Sequence, residues 1–167
     1  VLASQLKDHS MARTYEAIVC GSFKEDSGTV DAPIGRHPTD RKRMAAFPSG
    51  TEAAGVRSAV THYEVLERFA LGPRWGQAFT YVQCELETGR THQIRAHMAH
   101  IGHPLFGEGK YAVNRDDKKL GYKFQALYAF RLEFAFREDS GALQYLNGRR
   151  FELDRREIWF LSEFEDA

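Results

Sequence analysis

Alternating apolar and polar positions recur along most of the chain and predict β-strands. The clearest alternation covers Leu127–Arg137, a pattern typical of a strand that faces a core on one side and water on the other. Its core-facing residues would be Tyr128, Phe130, Leu132, Phe134 and Phe136. Further strands are predicted over Arg13–Cys20, Ala59–Phe69, Ala78–Glu87, Arg150–Leu153 and Ile158–Phe164.

One segment changes to helical spacing. Ile94, Met98 and Ile101 stand at i, i+4 and i+7 and predict a helix over Thr91–Ile101, with Thr91 as N-cap and Gly102 just beyond the end. The range Leu2–Lys7 has the pattern of the end of another helix. Proline and glycine predict the irregular parts: a short extended piece with Pro33 at an edge or irregular position, a long loop and a hairpin loop, over Gly28–Gly35, His37–Gly55 and Leu71–Gln77.

These elements predict the α+β class: one mixed, mostly antiparallel sheet with few helices. A length of 167 residues fits one domain, and 43% apolar residues suffice for a core. No apolar run is long enough for a membrane span. Cys20 and Cys84 stand in strand-like runs, which indicates reduced, buried thiols in a cytoplasmic protein rather than a disulfide.

The charges balance, with 23 basic and 23 acidic residues, but they are unevenly placed. A basic cluster is formed by Arg36, Arg41, Lys42 and Arg43, with Asp40 as its one acid. The last residues, 151–167, are mainly acidic. A neutral total can therefore hide a basic face.

The most informative string is L-E-T-G-R-T-H-Q-I-R-A-H-M-A-H-I-G-H, from Leu86 to His103. A strand ends and a helix begins between Arg90 and Arg95, an arrangement that favours an anion at the helix start. Arg95 stands near apolar helix positions and should have an acidic partner. A solvated helix face is the alternative. The histidines of this string have neither the H-E-x-x-H spacing nor a nearby cysteine pair, so no metal site is expected.

This string, followed by I-G-H-P-L-F-G-E-G-K-Y, resembles a signature region of the RluA-like pseudouridine synthases. Three more pieces resemble the family in the same order. They are the strand around Tyr15, the D-A-P-I-G-R loop with its following basic residues, and the string Q-A-L-Y-A-F-R-L-E-F from Gln125. The resemblance covers roughly residues 6–137.

The resemblance implies an enzyme that isomerises uridine to pseudouridine in ribosomal or transfer RNA, on a flipped-out base and without a metal or organic cofactor. It implies that Tyr15 stacks on the base and that Arg95 pairs with a nucleophilic aspartate. Ile94 and Leu127 would form an apolar wall; core packing is the alternative for both, as it is for Tyr15. Arg90, His92 and Gln93 would also contact the substrate.

The resemblance also implies that the basic cluster and Arg90 bind RNA phosphates. A solvated loop is the alternative for the basic cluster.

One departure from the family changes these expectations. The family's aspartate lies in an H-R-L-D-x-x-T-S-G type segment before the tyrosine strand, and no such string occurs here. Residues 1–167 are therefore expected to be a partial catalytic domain, inactive as a fragment, in which Arg95 lacks its natural partner. A non-catalytic RNA-binding protein that keeps the fold is the alternative. An exposed sheet edge would favour self-association.

Overall fold

The computed structural model describes residues 11–69, 76–112, 119, 121–137 and 139–165. The predicted helix end at Leu2–Lys7 and most of the predicted hairpin loop at Leu71–Gln77 lie outside these residues. The described chain is built on a six-stranded sheet in the order β2-β5-β6-β1-β7-β8, and every neighbouring pair is antiparallel. Its strands are β1 Met11–Cys20, β2 Ser27–Asp31, β5 Val60–Phe69, β6 Phe79–Leu86, β7 Leu127–Phe134 and β8 Arg150–Glu152.

A second, two-stranded sheet pairs β3, Ile34–Arg36, with β4, Met44–Ala46. Two predictions were wrong in detail here. The extended piece Gly28–Gly35 is divided between both sheets, because Pro33 has no N–H to continue a ladder. The predicted long loop His37–Gly55 contains β4, which is too short to show a period in the sequence.

Strand β1 lies inside the sheet and contributes to both of its faces. Ala17 and Val19 pack with α1, Gln93–His100, in one apolar cluster that also includes Ile94 and Met98. Ile18, on the opposite face, packs with the aromatic residues of the C-terminal segment. The period of two along a strand explains this division. Tyr15 lies on the α1 face, packed against the first cluster.

The C-terminal segment covers the other face as a helix, and the strand predicted over Ile158–Phe164 was wrong. The chain forms 3₁₀ turns at Gly141–Leu146 and Arg155–Glu157 and then α2, Leu161–Glu165. Phe160, Leu161 and Phe164 are buried at helical spacing. A short apolar run does not distinguish a strand from a helix by its pattern, and packing decides between them.

The predicted fold class is confirmed, as are most of the long strands. Strand β7 ends at Phe134, three residues before the predicted end at Arg137, and a bulge shifts its register against β1 between Thr14 and Tyr15. Neither Cys20, which is half-buried, nor the buried Cys84 forms a disulfide, and burial raises the pKa of Cys84 to about 12. Among the described residues, no helix combines the length and apolar character needed to cross a membrane.

Candidate active site

A cavity of about 290 Å³ opens where β6 turns into α1, between that turn and strands β1 and β7. All the residues for which the sequence suggested a catalytic or substrate-binding role line it: Tyr15, Arg90, His92, Gln93, Ile94, Arg95 and Leu127. They come from three separate parts of the chain. The fold therefore brings together one apolar and cationic site from residues that are distant in sequence.

Gln93 closes the turn between β6 and α1. Its Oε1 accepts from Thr88 Oγ1 at 2.8 Å and from the Arg90 N–H at 2.9 Å, and its Nε2 donates to Val60 O at 2.9 Å and to Thr61 Oγ1 at 3.0 Å. A carboxamide offers two acceptor sites and two donors, and all are used. The buried side chain of Gln93 thus holds the turn and has no group left for a ligand.

The helix begins differently from the sequence prediction, which placed the N-cap at Thr91. The N-cap is His92, in a left-handed conformation with φ 55°, and no side chain caps the helix end. Among the described residues His92 is the one non-glycine with positive φ. Such a conformation is costly for a side-chain-bearing residue and is typical of functional sites. The Gln93 carboxamide accepts the Arg90 N–H of the preceding turn, and His92, the left-handed residue, joins that turn to the helix.

Arg95 has an acidic partner, as its partly buried position suggested, but that partner is in this chain. The Arg95 Nε and Nη2 atoms donate to the two oxygens of Glu108, each at 2.7 Å. The Arg95 side chain is 14% exposed and that of Glu108 is fully buried. That Arg95 lacks its natural partner, the family's aspartate, stays a prediction, and within the described residues its acidic partner is Glu108.

Glu108 is held as an anion by its surroundings. Its Oε1 also accepts the backbone N–H groups of Lys110, at 2.7 Å, and of Tyr111, at 3.3 Å. Burial raises the pKa of Glu108, but the hydrogen bonds from Arg95 and from these amides outweigh it and lower the pKa below its usual value. The short loop from Leu105 to Tyr111 thus fixes the guanidinium through Glu108.

Tyr111 joins this site to the small sheet. Its hydroxyl lies 2.8 Å from His92 Nδ1 and accepts the backbone N–H of Met44 in β4 at 3.2 Å. The hydroxyl proton is then available for His92 Nδ1, which leaves the neutral imidazole with its proton on Nε2. Burial, Arg95 and Lys110 all lower the pKa of His92, so the ring stays neutral at pH 7.

The apolar side of the cavity is shared with the protein core. Ile94 is buried, and Tyr15 and Leu127 are half-buried against the same apolar cluster. The three side chains both line the cavity and pack in the core, so the two alternatives raised by the sequence coexist. Their apolar surface, next to Arg95, suits a planar base more than a free ion.

The basic cluster lies outside the cavity, on β3, β4 and their connection. Arg36, Arg41 and Lys42 are exposed, and Arg36 Nη1 donates to Arg41 O at 3.1 Å. Arg43 is half-buried and donates to Lys110 O at 3.1 Å, on the same loop that holds Arg95. The cluster is therefore coupled to the site through Lys110 and Tyr111 and keeps three exposed cationic heads for an anionic partner.

Four site residues escaped the sequence analysis. Arg13 and Gln125 line the cavity, and Glu108 and Tyr111 fix the residues that line it. Arg13 could have been found, because it stands two residues before Tyr15 and shares its face of the strand. The other three carry no periodic signal, since each acts through a loop or strand end.

Two of the later histidines of this string, His97 and His103, have structural partners. The buried His97 donates from Nε2 to Ala32 O at 2.8 Å and accepts at Nδ1 from Thr61 Oγ1 at 2.9 Å. His103 lies against Phe23, with ring centroids 4.0 Å apart. Within the described parts of the chain, no three His, Cys, Asp or Glu side chains gather closely enough to bind a metal ion.

Comparison with known proteins decides the family. A family model described as RNA pseudouridylate synthase matches residues 1–100 of the 167. The chain belongs to this family. The resemblance seen in the sequence strings is thereby confirmed.

Curated relatives agree with this membership. The chain is 46% identical over 133 residues to the "uncharacterized RNA pseudouridine synthase YlyB" of Bacillus subtilis, which covers 80% of this chain and 39% of that protein. It is 49% identical over 110 residues to "ribosomal large subunit pseudouridine synthase D" of Pseudomonas aeruginosa, covering 66% and 30%. The chain thus spans about two fifths or less of the length of these relatives.

Two solved structures share the fold. "Human RNA Pseudouridylate Synthase Domain Containing 1" superposes with a TM-score of 0.67 at 22% identity, over 99% of this chain and 70% of that one. "Human RNA Pseudouridylate Synthase Domain Containing 4" gives 0.64 at 20% identity, over 98% and 66%. At these identities the likeness concerns the fold alone.

Proposed function

We propose that this chain is the C-terminal part of the catalytic domain of an enzyme that converts uridine to pseudouridine in RNA. The observation that carries the proposal is the cavity in which Tyr15, Arg95, Ile94 and Leu127 meet. An aromatic ring, an apolar wall and a fixed cation are what a flipped-out pyrimidine and a nucleophilic carboxylate require. Two relatives are named for the large ribosomal subunit, which favours ribosomal RNA as the substrate and the cytoplasm as the location.

In this proposal Arg95 serves two carboxylates. Two of the five N–H donors of a guanidinium go to Glu108, and the others are left for a second carboxylate. That second group would be the nucleophilic aspartate, kept ionised by the nearby cation. Glu108 fixes the plane of the guanidinium, so the nucleophile meets a donor that is already oriented.

The remaining roles divide between substrate contact and support. Tyr15 stacks on the flipped uracil, with Ile94 and Leu127 excluding water from it. His92 presents a neutral N–H donor, and the Arg90 Nε donates to Ser58 O at 2.9 Å. Gln93, with its carboxamide fully bonded, holds the turn that carries both. Arg36, Arg41, Lys42 and Arg43 bind RNA phosphates outside the cavity.

The nucleophile is expected to come from outside these residues, because no H-R-L-D-x-x-T-S-G type string occurs among them. We therefore expect this chain to bind RNA without converting its uridine to pseudouridine. The test is release of tritium from RNA containing 5-tritiated uridine, with this chain and with a longer protein that contains it together with such a segment.

Binding by both proteins, with release by the longer one alone, supports the proposal. Release by this chain alone would show that another carboxylate is the nucleophile. Binding by both with release by neither would favour the alternative, a non-catalytic RNA-binding protein with this fold. Absence of RNA binding by either protein would refute the function.

A further inference from the structure

Arg13 is a cation in the site with no assigned role. It stands on β1 two residues before Tyr15, so both side chains project from the same face of the strand. Arg13 and Tyr15 line the cavity of about 290 Å³, and both also line a neighbouring cavity of about 550 Å³ over β7 and β8. Arg13 therefore lies where the two cavities meet.

The guanidinium of Arg13 has no protein partner within the described residues. Arg95, in the same cavity, is paired with Glu108, and Arg90 donates to Ser58 O. Arg13 is half-buried, yet among the described side chains no carboxylate lies within ion-pair distance of it and no acceptor bonds to it. The partial burial of this charged group therefore has a desolvation cost that no anionic partner among the described residues offsets.

Gly89 provides the space for this guanidinium. A Cβ atom at Gly89 would lie 2.3 Å from Arg13 Nη2 and 3.2 Å from both Cζ and Nη1. Gly89 is not among the described glycines with positive φ, so its backbone does not require a glycine. Any side chain at this glycine of the T-G-R-T string would instead meet the Arg13 head group, which lies against Gly89 in the lining of the cavity.

We propose that Arg13, seated on Gly89, binds an RNA phosphate next to the base that stacks on Tyr15. Residues i and i+2 of a strand are about 6.6 Å apart, which is comparable to the separation of a pyrimidine ring from its own 5′-phosphate. A guanidinium binds phosphate through two parallel hydrogen bonds, which gives direction as well as charge. The choice of RNA as ligand rests on the proposed function; the anion site itself rests on Arg13 and Gly89.

The experiment compares uridine 5′-monophosphate with uridine, titrated into this chain and followed by amide and arginine Nε chemical shifts. The unaltered chain should bind the monophosphate about tenfold more tightly than uridine, as one charge-assisted contact provides. Arg13→Gln should abolish this preference by weakening the binding of the monophosphate about tenfold. Arg137→Gln is the matched control, because it removes the same charge outside both cavities and should keep the preference.

Gly89→Ala tests whether the Arg13 guanidinium needs the space that Gly89 leaves. Its new methyl group would displace the guanidinium, the flexible end of a side chain, so the variant should lose the preference as Arg13→Gln does. In the Arg13→Gln background the same change should have no further effect, since coupled residues give non-additive losses. If the losses of preference in the two single variants added up in the double variant, the proposed contact between Arg13 and Gly89 would be overturned.

The remaining outcomes separate this inference from the proposed function. An unaltered chain that does not distinguish the monophosphate from uridine, or an Arg13→Gln variant that still does, overturns the phosphate site. A preference seen in this chain but lost in a longer protein would identify a protein carboxylate as Arg13's partner, which also overturns it. A preference that persists in a protein unable to bind RNA would refute the proposed function and leave the anion site intact.

Discussion

Glu108 illustrates how one buried carboxylate can position a partly buried cation. It accepts four hydrogen bonds, two from Arg95 and two from backbone amides, and its side chain has no exposed surface. Tyr111 lies beneath the same guanidinium, with its ring centroid 5.3 Å from Arg95 Cζ. The Glu108 carboxylate thus fixes the plane in which the guanidinium lies, and the Tyr111 ring supports one face of that plane.

Replacement of Arg95 should cost stability before any effect on RNA is considered. Arg95→Met leaves the buried Glu108 charge without its main partner, a change that costs about 3–5 kcal/mol in comparable pairs. Because two amides still solvate Glu108, we expect about 3 kcal/mol, measured by urea denaturation. Glu108→Gln in the Arg95→Met background should recover part of the loss. A double variant as unstable as Arg95→Met would contradict the unpaired-charge explanation.

The buried His97 should make stability depend on pH near neutrality. Burial lowers its pKa in the folded state below the ordinary 6.5, while the unfolded chain keeps the ordinary value. The unfolded state therefore binds more protons at mildly acidic pH. The free energy of unfolding should be greatest above about pH 6.5 and fall as pH drops through that value to the lowered folded pKa. The pKa of His92 is shifted in the same direction and adds to the effect.

Chemical denaturation at a series of pH values measures this dependence. His97→Gln should reduce the slope of the free energy of unfolding against pH between neutral and mildly acidic pH. A flat profile in the unaltered chain would exclude the proposed contribution of His97. Glu108 acts in a different window. Its folded-state pKa is lowered below the usual 4.5, so its contribution is present above that value and is lost only as pH falls further.

At the scale of elements, the β6-to-α1 turn depends on one side chain. The Gln93 side chain bonds to Thr88 just after β6 and to Val60 and Thr61 at the start of β5. The Thr61 hydroxyl in turn bonds to His97. A hydrogen-bonded chain therefore runs from the turn through β5 to Ala32, in the connection between β2 and β3. The turn, and with it Arg90, His92 and Arg95, is held by buried bonds rather than by a helix cap.

Gln93→Glu tests this dependence with almost no change in volume. A carboxylate cannot donate to Val60 O or Thr61 Oγ1, so two hydrogen bonds at the turn are lost, although Val60 O keeps the Glu87 N–H and Thr61 Oγ1 keeps His97. We expect a loss of about 1–3 kcal/mol in the free energy of unfolding, from about 0.5–1.5 kcal/mol for each lost hydrogen bond. Thr91→Val is the control: Thr91 is exposed and does not cap the helix, and its replacement should change stability little. Equal stability of Gln93→Glu and the unaltered chain would contradict this role.

The elements that could be predicted from the sequence are those with a long period. Strands β1, β5, β6 and β7 and helix α1 each extend over eight to ten residues, enough for alternation or helical spacing to show. Strands of three residues, such as β4, carry no period. The C-terminal run Ile158–Phe164 has a composition that suits a strand, and only the aromatic core it meets makes it helical.

The site also has residues that could be predicted from the sequence and residues that could not. The strings around Tyr15 and Arg95 resemble the family and identified residues that do meet in one cavity. Glu108 could not be chosen in advance, because a pairing across thirteen residues and a turn leaves no spacing in the sequence. His92 appeared to be an ordinary first-turn residue, since a left-handed conformation is normally signalled by glycine or asparagine.

For the whole molecule, β1 links the site to the C-terminal segment. Tyr15 faces the cavity, and its neighbour Glu16 faces the other side, where its fully buried carboxylate accepts from Tyr81 Oη and from Arg155 Nη2 at 2.8 Å. Arg155 also lies over Phe130 of β7, with Cζ 5.0 Å from the ring centroid. The C-terminal segment is thus fastened to the strand that carries Tyr15, and disturbances there should reach the site.

The β8 side of the molecule should determine whether chains associate. Strand β8 is short and carries Arg150 and Glu152, which discourage strand pairing, but Phe151 is 52% exposed beside the cavity of about 550 Å³. We expect weak association through this apolar surface, seen as a rise of average mass with concentration in sedimentation. Phe151→Lys should keep the chain monomeric, whereas Tyr145→Lys, which changes an exposed aromatic residue outside both cavities, should not. A mass independent of concentration in the unaltered chain would show that this surface does not drive self-association.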